Sequence, residues 1–348
     1  MYHLPIAIGL LVFVPALADP PVGEIAVIES SLDSAGPQIR QFAFDGDPAT
    51  YFASAKNPST TDHLTLRFDN PVKVKSILIQ SGTPKNESLL STGVLETSTD
   101  GIEFVTLGAF YLGKISVKKE LTVKAIRIRP TKDLKTPLVI REITIDSEPK
   151  LLVFRYPIEI TMDVTDAPTM KEWCEKVIRV CEREYPIICE GLMSPGYHPM
   201  TQIKLVMKSD YDGVAKAGGG KITGSAKFFK DNPNDIGAMV HETVHCVQNY
   251  KSRMNPGWLV EGIADYYRFW VYEPGKAGPV NPDKASYDDS YRVTATFLAY
   301  VSDKYEPKLV NKLNAVLREG KYDVAVWKTL TKKTIEELNQ EWRQSLAK

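Results

Sequence analysis

The stretch from Asn234 to Tyr272 constrains this 348-residue chain most, because it reads as two apolar helices that each carry metal-type donors on one face. Ile236, Met239, Val240, Val244 and Val247 recur at helical spacing, and Asn234, after Asn232-Pro233, is the expected N-cap. His241 and His245 are four apart, so a helix stacks their imidazoles one turn apart. Glu242 lies one residue round, placed to reach a water on the metal rather than the metal itself. This His-Glu-x-x-His spacing is that of zinc hydrolases, with the glutamate as general base. Asn255-Pro256-Gly257 then makes a turn, and a second helix starting near Trp258 sets Glu261 and Asp265 on one face. A catalytic zinc takes three protein ligands and keeps one position open, so Glu261 is the expected third ligand. Asp265 is placed to accept the free N–H of a ligating histidine and fix its tautomer. The bland alternative is a solvated helix that carries these residues by chance. The apolar stripe argues against it, as does the concentration of two of only five histidines here.

The run His-Glu-Thr-Val-His-Cys-Val-Gln, ending at Gln248, and the later Glu261-Gly-Ile-Ala-Asp265 with Tyr266 and Arg268 resemble the plant and bacterial basic secretory protein family of zinc peptidases. Tyr291, Thr294, Ala295, Phe297 and Leu298 match a further stretch of that family, and the resemblance covers roughly residues 152–346. The Glu-x-x-x-Asp spacing is similar to the gluzincin pattern, in which Glu binds zinc and Asp supports a ligand. Despite the family's name the chain is not basic: Lys+Arg and Asp+Glu both total 43. No electrostatic case exists for nucleic acid or an anionic membrane as partner.

Residues 1–18 read as a cleavable signal peptide, with an apolar run from Leu4 to Leu17 and a small-residue site at Ala16-Leu17-Ala18. The run is short for a membrane span and Pro15 interrupts it, so export without stable membrane insertion is expected, to the periplasm or the exterior.

Residues 24–147 alternate short β-rich runs with polar turns: Leu64–Phe68, Val72–Gln80, Val94–Ser98, Phe104–Phe110, Val123–Ile128 and Val139–Ile145. That pattern predicts an antiparallel sandwich. Phe44-Asp-Gly-Asp-Pro-Ala-Thr-Tyr-Phe52, Ser98-Thr-Asp-Gly-Ile-Glu-Phe104 and Ala125-Ile-Arg-Ile128 resemble discoidin-type, galactose-binding-like jelly rolls, which usually have Trp where this chain has Phe52. The resemblance implies a structural calcium site at Asp45, Asp47, Thr50 and Glu142. Calcium wants six to eight oxygens, and a tight Asp-Gly turn presents several; an Asp-rich turn capped by its own side chains is the alternative. It also implies glycan binding, with Tyr51, Phe52 and Tyr111 available either to stack on sugars or to fill the core. Asn86-Glu-Ser88 is a glycosylation sequon.

After a linker at Ser147–Lys150, residues 152–346 predict an α+β zincin-like domain. Leu151–Val164 is read as a strand, and Asp166 as the cap of a helix with Pro168 in its first turn. Gln202–Met207 is a second strand. Gly218-Gly-Gly220 reads as a loop leading into a strand over Lys221–Phe229, either an edge that pairs with a peptide substrate or an ordinary interior strand. Helices follow over Asp289–Lys304, Lys308–Arg318, Tyr322–Leu330 and Ile335–Ala347, the last with a capping box of Thr334 and Glu337. Tyr291 is a candidate oxyanion donor or a packed phenol. Cys174 and Cys181 are about 10 Å apart on one helix, too far to bridge. Cys181–Cys189 pairing and four buried thiols, Cys246 included, both remain open.

The chain is therefore expected to be multidomain, an all-β jelly-roll sandwich followed by a zincin-like metallopeptidase. His241, His245 and Glu261 would hold Zn2+, Glu242 would be the base, Asp265 the orienting group and Tyr291 the oxyanion donor. The substrate would be protein or peptide. An amidase acting on glycoprotein or cell-wall amides, and an inactive zinc-containing binding protein, are the alternatives.

Overall fold

The computed structural model describes residues 23–252 and 254–347, so the leader expected at 1–18 lies outside the described residues. They form two compact units: the described part of Asp19–Glu190 with Tyr197–Met239, and Gly191–Gly196 with the described part of Val240–Lys348. Among the described residues no helix is long and apolar enough to cross a membrane.

The first unit contains the expected all-β sandwich. Its strands are β1 (Glu24–Ser30), β2 (Phe52–Ala53), β3 (Leu64–Ser81), β4 (Gly93–Ser98), β5 (Val105–Ala109), β6 (Lys114–Pro130), β7 (Val139–Glu148) and β8 (Leu151–Leu152). Pairing runs β2-β7-β3-β6-β4-β5, with β1 on β3 and β8 on β1. Only the short β1–β8 pair is parallel. The start of β3 pairs with β1 and its end with β7, while β6 follows it throughout. The sequence predicts two strands where β3 is one. Asp69-Asn70-Pro71 breaks the register between Arg67 and Val72 without ending the strand, because a proline without an N–H can be absorbed at an irregularity. Phe52, in the place of the usual Trp, is 0% exposed and joins Phe44, Leu66 and Ile140 in the core.

The same unit holds a second sheet, ordered β11-β12-β10-β9, made of β9 (Glu159–Asp163), β10 (Gln202–Lys208), β11 (Ala215–Gly218) and β12 (Lys221–Ser225). β10 runs parallel to both neighbours. The predicted strand Leu151–Val164 is interrupted, its ends forming β8 and β9. The predicted strand Lys221–Phe229 stops at Ser225, whose hydroxyl accepts from Phe228 N to cap helix α2 (Ala226–Asp231), following α1 (Lys171–Gly191) in chain order. β12 is thus an interior strand. Asp166 does not cap α1; its carboxylate accepts from Ser209 N at 3.0 Å, and Pro168–Met170 forms a 3-10 turn ahead of the helix.

Arg40 ties the sandwich to this sheet and to α1. Its guanidinium contacts Glu159 at 2.7 Å and Glu182 at 2.5 Å, with both carboxylates almost fully buried. Burial pulls the Arg40 pKa down, but the two glutamates outweigh it and hold the pKa above its ordinary value. Gln41 adds a second tie, its side-chain carbonyl accepting from Ile158 N at 2.8 Å. All four cysteines are buried, with Cys189 Sγ 3.8 Å from the Tyr197 hydroxyl.

The second unit is helical: most of α3 (Gly237–Gln248), then α4 (Gly257–Tyr266), α5 (Tyr291–Lys304), α6 (Leu309–Arg318), α7 (Ala325–Thr331) and α8 (Ile335–Leu346). Asp235, not Asn234, caps α3 by accepting from Ala238 N at 3.3 Å. The capping box of Thr334 and Glu337 on α8 forms as expected. Phe297 packs on Trp327 and Trp342 at ring separations of 5.4 and 5.5 Å to make the centre of this core.

α4 and α5 approach closely because residue 262 is glycine: a Cβ there would lie 2.2 Å from Thr294 Cγ2. Thr294 is fully buried and its hydroxyl donates to Tyr287 O at 2.7 Å, so it cannot simply turn aside. Gly262→Ala is therefore expected to destabilise the unit by about 1–3 kcal/mol despite alanine's better helix propensity. Thermal unfolding measures this, and adding Thr294→Ser, which removes the methyl but keeps the Cβ that would lie 2.7 Å away, should recover only part of the loss.

Candidate metal centre

α3 and α4 bring His241, His245 and Glu261 together, with one donor atom from each within 4.8 Å of the others. The His241 and His245 Nε2 atoms are 3.0 Å apart, and Glu261 Oε2 lies 3.1 and 3.3 Å from them. The hydrogen bonds behind each ring decide what these atoms present. His241 Nδ1 is 2.6 Å from Asp265 Oδ1, so the ring donates there and leaves Nε2 with a lone pair. Gln248 Nε2 donates to Val260 O at 2.9 Å, which turns its carbonyl towards His245 Nδ1 at 2.7 Å. That bond requires Nδ1–H, and His245 Nε2 is also left unprotonated.

Three electron-pair donors therefore face one another at about 3 Å. Burial pulls the His241 pKa down, but Asp265 and Glu261 outweigh it and lift it to about 9. Burial likewise pushes Glu261 up, but the two histidines win and hold its carboxyl at about 2. Such a pocket demands positive charge between the donors, a proton or a metal ion. Zinc bonds of ~2.0–2.2 Å at tetrahedral angles separate ligands by roughly 3.3–3.5 Å, so the donor set fits zinc after an opening of a few tenths of an ångström.

Glu242 is buried beside them, and its Oε2 has no hydrogen-bond partner among the described residues. Burial raises its pKa, with the histidines opposing. Tyr291 opens α5 with its ring nearly parallel to that of His241, at 6.1 Å and 24°. Ser290 and Tyr291 have φ of +64° and +48°, two successive non-glycine residues in the left-handed region, where the backbone is strained. The phenol is half exposed, and the charge of Glu261 does most to raise its pKa. The sequence reading gave Gln248 no role. Its position three residues beyond His245, on the same helical face, was the available signal.

The calcium candidates form a different kind of cluster. Asp45 Oδ1 accepts from Asp47 N at 3.0 Å and Oδ2 from the Thr50 hydroxyl at 2.8 Å, around Gly46 with φ of +80°. Burial and then Asp45 push Glu142 up to about 7, and its Oε2 has no hydrogen-bond partner among the described residues. These carboxylates do not come within 4.8 Å as a set of three. Of the aromatics, Phe52 is core and is withdrawn as a sugar platform, while Tyr111 is 77% exposed.

Residues 161–342, more than half of the chain, match the family described as BSP, peptidase of plants and bacteria. The chain belongs to that family. Outside the BSP region, residues 26–143 match the F5/8 type C domain. No curated protein matches the chain. Among solved structures, the sandwich is similar to the CBM32-1 module of a Clostridium perfringens family 31 glycoside hydrolase, at 14% identity over 34% of this chain and 92% of that one, with a TM-score of 0.31. It is also similar to the family 32 CBM of C. perfringens NanJ in complex with galactose, at 16% identity over 35% and 97%, TM-score 0.29. A third is the C-terminal domain of a chitobiase from Bacteroides fragilis, at 17% identity over 35% and 93%, TM-score 0.30. In this BSP member the family match spans both helices that carry His241, His245 and Glu261, and Tyr291.

If Gln248 and Asp265 orient the two imidazoles, Gln248→Leu and Asp265→Ala should each weaken zinc binding roughly 10–100-fold. A competition titration against a chromophoric chelator reads this, and unchanged affinity in Gln248→Leu would show that His245 is oriented by something else. The calcium reading predicts that millimolar calcium raises the unfolding midpoint and that Glu142→Gln removes the rise; no rise in the unaltered protein rules it out.

Proposed function

We propose that this protein is an exported zinc-dependent endopeptidase, with the sandwich as an accessory glycan-binding module. The observation that carries the proposal is the trio of donor atoms from His241, His245 and Glu261 at 3.0–3.3 Å with a buried carboxylate, Glu242, beside it. Membership of a peptidase family supports the reaction class.

In this reading His241, His245 and Glu261 hold zinc. Zinc bound there lowers the pKa of a water towards ~7 and polarises the scissile carbonyl. Glu242 takes the proton of the attacking water and passes it to the leaving amine. Its unpartnered oxygen and raised pKa suit it to both transfers. Asp265 and Gln248 hold the imidazoles in the tautomers that ligation needs. Tyr291, fixed at the start of α5, donates to the oxygen that gains charge as the carbonyl is attacked. A binding protein with a structural metal has no use for Glu242 in this position, which favours the enzyme. The glycan role rests on the F5/8 type C match and on the exposed Tyr111. The apolar leader supports export.

Glu242→Gln should retain zinc and lose cleavage by roughly 10²- to 10⁴-fold. Metal analysis and mass-spectrometric profiling of cleaved proteins check both halves, and normal cleavage by this variant would remove Glu242 as the base. Products from glycopeptides or cell-wall peptides alone would favour the amidase reading.

A further inference from the structure

A cleft of about 380 Å³ lies between the sandwich and α1, within the first unit. Its helical wall is the stripe Lys176, Arg179, Val180 and Arg183, which share one face of α1 at i, i+3, i+4 and i+7. Its other wall is sheet, with Val27 and Glu29 from β1, Arg67 and Asp69 from β3, and Lys124 from β6. Five cations thus line it against two carboxylates.

Those two carboxylates are already satisfied. Glu29 is shared by Arg67 at 2.6 Å and Arg179 at 2.9 Å, and Asp69 takes Arg183 at 2.6 Å. Arg67 is further held by donating to Gly101 O at 2.5 Å. The arginine–carboxylate pairs therefore act as fixed walls. What remains is surplus positive charge: Lys124 and Lys176, both in the lining, form no ion pair among the described residues. Clustered cations with no counter-charge favour an anion, and the recess keeps the attraction from being fully screened.

We propose that this cleft binds an anionic sugar. A carboxylate or sulfate group is met by Lys124 and Lys176, and one sugar ring lies over the half-buried Val27 and Val180. The size selects a small ligand, since such clefts run from roughly 300 to 1,000 Å³. The walls select a sugar over a nucleotide. The one aromatic in the lining, Phe68, is 3% exposed and belongs to the core, so no ring is offered to a base. The site depends on neither the metal centre nor Tyr111.

The test is calorimetric titration of the full chain with oligogalacturonate, with a sulfated galactosamine oligosaccharide, with a neutral galacto-oligosaccharide and with ADP, at low and high salt. At least one acidic oligosaccharide should bind more tightly than the neutral one and than ADP, and weaken as salt rises. Lys124→Ala with Lys176→Ala should weaken that binding about tenfold at unchanged zinc content. No binding of either acidic oligosaccharide, preference for ADP, or full affinity in the alanine pair would overturn the proposal. Loss of peptidase activity would leave it untouched, because the two readouts share no residue.

Discussion

Three lone pairs pointed at one another across about 3 Å are costly unless something positive sits between them, and the helical unit is arranged to keep them so. Asp265 and Gln248 hold the ring protons on the far side of each imidazole. Gln248 does this while also bonding Val260 O, the carbonyl just before the third donor, Glu261. One side chain thereby sets a tautomer on α3 and fixes the register of α4. The close contact of Gly262 with Thr294 in turn presses α4 onto α5, whose first residue is Tyr291. Ser290 and Tyr291, where α5 begins, are held in a strained backbone conformation. A substitution at either packing contact should therefore be felt at the metal donors, some of which it never touches.

Much of the centre was legible in the sequence because helix periodicity is local. Four-residue spacing fixes the face on which His241 and His245 stand, and the same rule placed Glu261 and Asp265. Short β-rich runs separated by polar turns likewise announced the sandwich. The failures came where local rules compete. Asn234 and Asp235 are both capping residues, and the chain used the second. Lys221–Phe229 has strand-like composition, yet Ser225 caps a helix inside it. Asp166 was drawn from its expected cap by Ser209, a partner more than forty residues away. The basic cleft could not be read at all, because its walls join residues from Val27 to Arg183 that have no sequence relation.

Gln248 falls between these cases. It was visible as part of a motif, but its work depends on which nitrogen of His245 faces the metal side. Spacing alone does not give that; the bond to Val260 O does, because it fixes which end of the amide is carbonyl. The role emerges only when both ends of one side chain are followed.

Arg40 bears on whether the sandwich can be removed. The sandwich matches a domain family of its own, separate from the peptidase match. Here, however, a guanidinium from the sandwich bridges Glu159 and Glu182, which sit in the neighbouring sheet and helix and are almost fully buried. Excising the module would strand two acids against each other in an apolar setting, a penalty of order 3–5 kcal/mol for losing one buried partner alone. A chain without the sandwich would therefore need both acidic positions replaced to escape that cost.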